Sequence, residues 1–215
     1  MSEESLNAQF AALHAEREKS WDAELLRKNV EQRRRLEERY RPENHVRAGD
    51  VVEPFELLNA EGGVIGRDEL VRRGPAVLIF FRFAGCPACN IALPYYDRQL
   101  WPHLAAAGIP LVAVSPQVPE RLIEIKQRHG LRFPVATDTD NRLADRLGIS
   151  FEPDEKPQVT PGESWIGSIT GTNGWALPQP TVLILGRDAR VLFVEVSPDW
   201  LRRTEAPAIL SALRE

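Results

Sequence analysis

The two cysteines of the chain stand three residues apart, in the run Cys86-Pro87-Ala88-Cys89. They directly follow an apolar stretch of β type, residues 77–81, and precede a stretch that is compatible with a helix. A strand, a Cys-x-x-Cys pair and then a helix are typical of redox-active thiols. The first turn of a helix offers a partial positive charge and free N–H groups, which favour the thiolate, the reactive form of cysteine. The sequence therefore predicts thiol redox chemistry at this pair.

The two thiols are expected to take different roles. Cys86 falls at the start of the helix, whereas Cys89 lies one turn further in and is more shielded. Because the first thiol of such a pair can have its pKa lowered to roughly 3.5–7, Cys86 is predicted to be the nucleophile and Cys89 the resolving thiol that closes a disulfide. The alternatives are buried, unreactive cysteines or a zinc site. Zinc normally takes four ligands, and the sequence has no second Cys-x-x-Cys pair and no paired histidines, so no metal and no cofactor is expected.

Several neighbours are candidates for supporting or substrate-binding roles. Pro87 suits the first turn of the helix, where a missing N–H costs nothing. Arg82, four residues before the first cysteine, either stabilises the thiolate or anchors an acidic substrate; if its side chain points away, it is only a solvated cation. Phe83, Trp165 and Trp175 are candidates for an apolar rim that receives an organic hydroperoxide or a peptide, with core packing as the alternative for at least one of them.

The bulk composition is that of an ordinary globular protein. The chain has 215 residues, of which 43% are hydrophobic and 27% charged, so one domain with appended segments is expected. The net charge of −4 gives no reason to expect nucleic acid or an anionic membrane as a partner. The start of the chain, Met1 to Glu4, is acidic and lacks the pattern of a secretory signal. A cytoplasmic location is therefore expected, and two cysteines in that reducing compartment favour catalysis over structure.

Residues 1–45 are predicted to form a helical extension. Positions 3–41 are rich in Glu, Arg, Leu and Ala, contain no Gly or Pro, and carry apolar residues at helical spacing until Pro42. The pattern fits one long amphipathic helix or two shorter ones. Since an amphipathic helix must bury its apolar stripe, the extension either packs on its own chain or serves as a dimerisation arm, and a homodimer is possible.

Residues 46–215 are predicted to form an α/β domain, because strands and helices alternate along the chain. The predicted strands are 52–58, 76–82, 110–115, 133–137, 181–185 and 191–196, and the predicted helices are 68–72, the segment from the cysteines to Ala106, 120–129, 141–147 and 206–213. Pro54 places the first strand at a sheet edge, and the last two strands form an antiparallel hairpin. Residues 151–180, rich in Pro, Gly, Ser and Thr, break the pattern and are predicted to be a lid-like insertion.

The cysteine segment resembles the thioredoxin superfamily. Its Cys-Pro-x-Cys site follows an apolar strand, and Pro94 stands eight residues beyond Cys86. The run Gln179-Pro180-Thr181 is similar to the cis-proline–threonine turn that faces the cysteines in that fold. The resemblance implies that Pro180 is cis and that Pro180 and Thr181 present backbone polar groups to the reaction partner.

Three further segments, 49–57, 114–117 and 133–138, are similar to core strands of the AhpC/TSA peroxiredoxins. The resemblance covers about residues 49–213 and is to the peroxiredoxin-like branch with a Cys-Pro-x-Cys site and a helical extension. It implies a thioredoxin-like fold with a central mixed β-sheet flanked by helices. Ile79 and Phe83 stand where that family usually has the proline and threonine of its peroxidatic motif, and Pro180 takes the position of its peroxide-binding arginine.

The resemblance implies a thiol peroxidase, in which Cys86 becomes a sulfenic acid and Cys89 condenses with it to a disulfide. The alternative is a thioredoxin-like thiol–disulfide oxidoreductase, in which Cys86 attacks a disulfide of a partner protein. A third possibility is a non-enzymatic redox sensor or scaffold whose helical extension binds a partner. Either enzyme needs a thiol electron donor such as thioredoxin or glutathione.

Overall fold

The computed structural model describes residues 4–153, 166–172 and 174–214. Within these ranges the strands β1 to β9 are Glu56–Asn59, Val64–Gly66, Ala76–Phe80, Leu111–Ser115, Val135–Thr137, Ser150–Phe151, Leu177–Pro178, Thr181–Leu185 and Val191–Val196. The helices α1 to α9 are Leu6–Ser20, Ala23–Arg39, Arg67–Val71, Pro87–Gln99, Trp101–Ala107, Pro119–His129, Arg142–Arg146, Ile166–Thr170 and Ala206–Ala212.

A seven-stranded sheet in the order β2-β1-β5-β4-β3-β8-β9 forms the centre of the fold. The neighbouring strands β3, β4 and β5 are parallel, and the remaining pairs are antiparallel. Every residue of β3, β4, β5 and β8 is buried, as expected for continuous apolar runs that are covered on both faces. The predicted α/β class with a mixed central sheet is confirmed.

Two predicted boundaries are wrong for local reasons. The first strand begins at Glu56, after Pro54, and pairs with both β2 and β5, so it lies inside the sheet and not at its edge. Pro54, which has no N–H to donate, stays outside the ladder. The predicted cysteine helix is two helices, because Leu100 interrupts it and Pro102 begins a new first turn. Gly108, at φ 67°, then ends α5.

The expectation that Pro180 is cis is wrong, since no peptide bond in the described ranges is cis. The chain instead runs extended from β7 into β8. The N–H of Gln179 donates to the carbonyl of Ile149 at 2.8 Å, and the carbonyl of Pro180 accepts from the N–H of Ser197 at 2.8 Å. These two bonds continue the ladders on either side of the proline, and the spacing of a trans peptide suits that extended path.

The N-terminal extension forms two helices, α1 and α2, and α1 packs on its own chain. The break between the helices comes at Trp21 and Asp22, where the Asp22 carboxylate accepts from the N–H groups of Glu24 and Leu25 and so caps α2. Leu6 and Phe10 of α1 are fully buried in the same apolar cluster that contains both cysteines. A homodimer through this extension stays a prediction.

Glu205 fixes the N-terminus of α1 to the domain. Its carboxylate accepts hydrogen bonds from Ser5 Oγ at 2.8 Å, from the N–H groups of Leu6 and Asn7 at 2.9 Å each, and from the hydroxyl of Tyr95 at 2.7 Å. Free N–H groups and the helix dipole favour a negative charge at this position. Burial raises the pKa of Glu205, but the hydrogen bonds outweigh it, and the pKa lies below its ordinary value of 4.5.

We expect the docking of α1 to weaken in acid. A carboxylate whose pKa is lowered by folding contributes stability above its ordinary pKa, and that stability is lost as the pH falls through the lowered value. Hydrogen exchange of the Leu6 and Asn7 amides, corrected for the intrinsic rate at each pH, should therefore quicken as the pH falls below about 4.5. Glu205→Gln should quicken it at neutral pH by roughly tenfold or more, because hydrogen bonds to a charged acceptor are lost.

The matched control is Glu18→Gln, which changes an exposed carboxylate within α1 itself. Equal exchange rates at Leu6 in the two variants, measured side by side after correction for intrinsic rates, would contradict the anchoring role of Glu205.

Candidate active site

The cysteine pair is held at the opening of α4 by a tight turn that leaves β3. Cys86 is the N-cap residue, and its sulfur accepts a hydrogen bond from the N–H of Cys89 at 3.4 Å. Pro87 occupies the first helical position, as the sequence predicts. The amide of Asn90 reaches back to the carbonyls of Ala84 at 2.7 Å and Cys86 at 2.9 Å. These bonds fix the turn and hold the first sulfur against the helix N-terminus.

The two sulfurs lie within bonding reach of each other. Both cysteines are free thiols, their Sγ atoms are 2.7 Å apart, and the two residues are 2% and 0% exposed. Because a disulfide needs an S–S separation of about 2.05 Å, the bond can form with a small rotation of the side chains. The pair is therefore preorganised for oxidation, and any substrate must displace covering side chains to reach Cys86.

Arg203, which the sequence did not indicate, contacts the thiols directly. Its Nη2 donates to the sulfur of Cys89 at 3.4 Å, and its Nε donates to the carbonyl of Trp200 at 3.1 Å. The side chain is buried, and its guanidinium lies 5.4 Å from the ring centre of Phe10 in α1. A buried positive charge beside a sulfur stabilises the thiolate.

Arg82 supplies a second positive charge on the same side. Its guanidinium lies over the ring of Trp200 at 4.4 Å, and the rings of Phe83 and Phe151 are 5.7 and 5.9 Å away. The half-buried guanidinium is therefore packed against aromatic faces, so the interpretation as a merely solvated cation is wrong. The rings of Phe83, Trp200 and Phe151 thus lie around the same guanidinium, and a role of Phe83 in a substrate-binding rim stays a prediction.

The electrostatics assign the lower pKa to the second thiol. Burial raises the pKa of Cys86 well above its ordinary value, and the adjacent Cys89 raises it further, against the charges of Arg82 and Arg203. Burial also raises the pKa of Cys89, but its hydrogen bond with Cys86 and the guanidinium of Arg203 outweigh burial and lower the pKa. The expected lowering of the Cys86 pKa is thus not found in this closed arrangement, because burial and the adjacent Cys89 raise it by more than the two arginines lower it.

A polar side chain at the end of β4 braces the cysteine turn. Gln117 accepts from the N–H of Ala84 at 2.7 Å and donates from Nε2 to the carbonyl of Ile169 in α8 at 2.8 Å. Gln117 belongs to the segment 114–117 that carries the family resemblance. The sequence therefore predicts its position near a strand end, but not its hydrogen bonds with Ala84 and Ile169. Through Gln117 the turn is tied to the segment between β6 and β7.

The other predicted site residues differ in how close they lie to the cysteines. Pro180 and Thr181 line a cavity of about 10 Å³ together with Arg203, although the Thr181 hydroxyl is used by the carbonyl of Gln179. Trp175 is half-buried between α8 and β7, and Trp165 lies outside the described residues. A much larger cavity, about 940 Å³, is lined by residues of β1, α3 and α7 and has neither cysteine among its lining residues.

The part of the chain that the structure describes has no cluster of three or more His, Cys, Asp or Glu side chains that could hold a metal ion. Across the same ranges, no helix has both the length and the apolar character needed to cross a membrane.

The profile of the AhpC/TSA family matches residues 48–194. Over 106 residues the chain is 31% identical to the thiol-disulfide oxidoreductase ResA of Halalkalibacterium halodurans, a match that covers 48% of this chain and 57% of the relative. Over 108 residues it is 26% identical to peroxiredoxin Bcp of Escherichia coli K12, covering 49% of this chain and 67% of the relative. The matched parts thus span little more than half of the first relative and two thirds of the second.

The fold is similar to that of a solved peroxiredoxin-type protein. The crystal structure of peroxidoxin BcpB from Mycobacterium tuberculosis superposes with a TM-score of 0.60 at 21% identity, and the match covers 79% of this chain and 96% of that chain. At that identity the likeness concerns the fold, and it confirms the thioredoxin-like architecture that the sequence predicts. The N-terminal helices α1 and α2 lie outside the residues that the family profile matches.

Proposed function

We propose that this chain, which belongs to the AhpC/TSA family, is a thiol-dependent oxidoreductase that reduces hydroperoxides through Cys86 and Cys89. The observation that carries the proposal is the pair of free sulfurs 2.7 Å apart at the N-terminus of α4, with a guanidinium on one of them. Such a pair can attack a peroxide with one sulfur and capture the oxidised product with the other.

The first step uses Cys86 as the nucleophile. When the pair has lost one of its two protons, transfer of the remaining proton to Cys89 leaves the thiolate on Cys86. That thiolate attacks one oxygen of the O–O bond, so an S–O bond forms, the O–O bond breaks, and the leaving alkoxide or hydroxide takes up a proton from water. The sulfur is oxidised to sulfenic acid and the peroxide is reduced to an alcohol or water. Arg82 and Arg203 stabilise the charge that develops on the leaving oxygen.

The second step regenerates a stable product. Cys89 gives up its proton and its thiolate attacks the sulfenic sulfur of Cys86, so an S–S bond forms and the S–O bond breaks. The released hydroxide takes up the proton and becomes water. Two thiol groups of an external donor then reduce the disulfide by exchange. Thioredoxin or glutathione is the donor that we propose, and a reducing compartment, the cytoplasm, is the location that suits this cycle.

A second candidate function is the reduction of protein disulfides. Two observations favour it: the Cys-Pro-x-Cys site itself, and the 31% identity over the matched segment to a protein named as a thiol-disulfide oxidoreductase. In that reaction Cys86 attacks the disulfide of the partner, and Cys89 resolves the mixed disulfide. The resemblance to the thioredoxin superfamily implies a cis-proline turn facing the cysteines, whereas the peptide before Pro180 is trans.

The supporting roles and the domain organisation belong to the same proposal. We propose that Arg82, Phe83, Pro87, Pro180 and Thr181 shape the site around the thiols, with Trp165 and Trp175 at its rim. Residues 1–45 act as an appended extension of a domain that spans 46–215, and the insertion near 151–180 acts as its lid. The tie from Gln117 to Ile169 at 2.8 Å supports a link between that insertion and the cysteine turn.

Stopped-flow fluorescence distinguishes the two functions. Reduced protein is mixed with hydrogen peroxide, with an organic hydroperoxide and with insulin, and the tryptophan signal is followed. We expect peroxide to oxidise the pair orders of magnitude faster than it oxidises free cysteine, and insulin to be reduced slowly. Oxidation no faster than that of free cysteine, together with rapid reduction of insulin, would replace the first function with the second.

A further inference from the structure

Arg17 of α1 is buried close to the thiols. Its side chain is 5% exposed, and it lies on the same face of α1 as Phe10, seven residues earlier, which contacts Arg203. Burial lowers the pKa of Arg17, and among the nearby charges the strongest influence is that of Cys86, which raises it. Arg17 therefore lies on the buried face of α1 that packs on the domain, and its guanidinium lies over the ring of Trp21 at 4.5 Å.

Three arginines that surround the thiols have N–H groups without an acceptor. Nη1 of Arg17, Nε of Arg82 and Nη1 of Arg203 are buried and make no hydrogen bond with any described residue. A buried polar group without a partner costs on the order of 1–3 kcal/mol, and more when it is charged. Three such atoms, on arginines of the site and of the helix that packs on it, would each gain an acceptor from a bound anion.

The positive charge of this cluster exceeds the negative charge that the thiols supply. Arg33, whose charge also influences Arg17, has its own counter-ion in Asp199 at 2.9 Å. Arg17, Arg82 and Arg203 form no salt bridge with a carboxylate within the described ranges. A singly ionised thiol pair offers them one negative charge against three positive charges, so the cluster can accept a second anion.

Two of the three arginines lie outside the residues that the family profile matches. The AhpC/TSA profile ends at residue 194 and begins at residue 48, so neither Arg17 nor Arg203 falls within it. In this chain Pro180 takes the position of the arginine with which the family binds peroxide. The segments before and after the matched residues thus contribute the positive charges of Arg17 and Arg203. These charges can bind a part of the substrate other than its peroxide group.

We propose that Arg17, Arg82 and Arg203 form a carboxylate-binding subsite over Cys86, and that it selects organic hydroperoxides which carry a carboxylate group. The inference deepens the proposed peroxidase function and rests on it. Guanidinium groups match the two oxygens of a carboxylate. The aromatic rings of Phe10, Phe83 and Trp200 beside the arginines suit the apolar body of an organic acid more than an inorganic anion.

The reaction test compares two substrates that differ in one charge. They are cumene hydroperoxide carrying a carboxylate in the para position, and the methyl ester of the same compound. We expect kcat/KM to be at least roughly tenfold higher for the acid, since hydrogen bonds between charged groups are worth more than neutral ones. Arg17→Gln should abolish this preference, and Arg17→Lys should restore part of it. The ratio of the two substrates cancels any change in the intrinsic reactivity of the thiol.

The control variant is Lys19→Gln, which removes a positive charge from an exposed position of the same helix and should leave the preference intact. A wild-type enzyme that consumes acid and ester at equal rates, or an Arg17→Gln variant that keeps the preference, would overturn the proposed subsite.

A binding test keeps the subsite separate from the peroxidase activity. Reduced protein is titrated calorimetrically with 4-isopropylbenzoate and with the corresponding amide, neither of which can oxidise a thiol. We expect the carboxylate to bind at least roughly tenfold more tightly than the amide, and Arg17→Gln to remove the difference. Carboxylate binding that depends on Arg17 in a protein without peroxidase activity would support the subsite and reject the reaction; equal binding of the two ligands would overturn the subsite.

Discussion

Replacing Cys86 by serine is expected to abolish both peroxide-dependent disulfide formation and the reduction of protein disulfides. Either reaction begins with attack by this sulfur, and a serine hydroxyl at a helix N-terminus is not ionised near neutral pH and cannot take its place. The measurement is the rate of disulfide formation after mixing with peroxide, followed by mass spectrometry. Titration of the denatured variant should find the one remaining thiol, which shows that the loss comes from the substitution and not from overoxidation.

Replacing Cys89 by serine is the matched change at the second sulfur, and it should have a different result. Cys86 should still react, but the sulfenic acid or the mixed disulfide should persist, because the sulfur that lies 2.7 Å away is gone. Dimedone labelling of Cys86 after one equivalent of peroxide detects the trapped sulfenic acid. If Cys89→Ser is inactive while Cys86→Ser still reacts with peroxide, the two roles are reversed, and the lowered pKa of Cys89 would then mark the nucleophile.

Replacing Arg203 by glutamine should raise the pH at which the pair first ionises by about one to three units, the range typical for the loss of a nearby opposite charge. The guanidinium lies 3.4 Å from the sulfur of Cys89 and is buried, so its attraction for the thiolate is weakly screened. The ultraviolet absorbance of the thiolate, recorded against pH, measures the change. Below the new midpoint the rate of thiol alkylation should fall in proportion to the thiolate that remains.

Arg202→Gln is the control for this change, since the neighbouring side chain is exposed. Arg203→Lys keeps the charge, so its titration should stay closer to that of the wild type, and it provides a folded variant should the glutamine disturb packing on Trp200 and Phe10. Identical midpoints in Arg202→Gln and Arg203→Gln would show that Arg203 does not stabilise the thiolate.

The sequence predicts those parts of the fold that depend on local pattern. Continuous apolar runs identify β3, β4 and β8 because strands covered on both faces need no alternation. The cysteine pair predicts the start of α4, because a reactive thiolate and a proline in the first turn are both favoured at a helix N-terminus. Pro54 predicts an edge strand, but the position of β1 in the sheet is set by its pairing with β2 and β5.

The positive charges of the site could not be predicted in the same way. Arg203 is 114 residues from the sulfur that it contacts, and it belongs to no motif that marks a partner for a thiol. Arg17 stands among many arginines of an amphipathic extension, and only the packing of α1 against the body distinguishes it from its solvated neighbours. The lowered pKa of Cys89 depends on its hydrogen bond with Cys86 and on the guanidinium of Arg203, and the second of these cannot be predicted from the helix N-terminus alone.

The short stretch from Asp199 to Glu205 joins three partners that are far apart in the chain. Asp199 pairs with Arg33 of α2, Arg203 touches Cys89, and Glu205 caps α1. Loss of Asp199 during evolution would leave the charge of Arg33 buried without a partner, and loss of Glu205 would leave the first N–H groups of α1 without an acceptor. Among related chains that possess the N-terminal helices, Asp199 with Arg33 and Glu205 with Tyr95 should therefore vary as linked pairs, and chains without those helices should lack both acids.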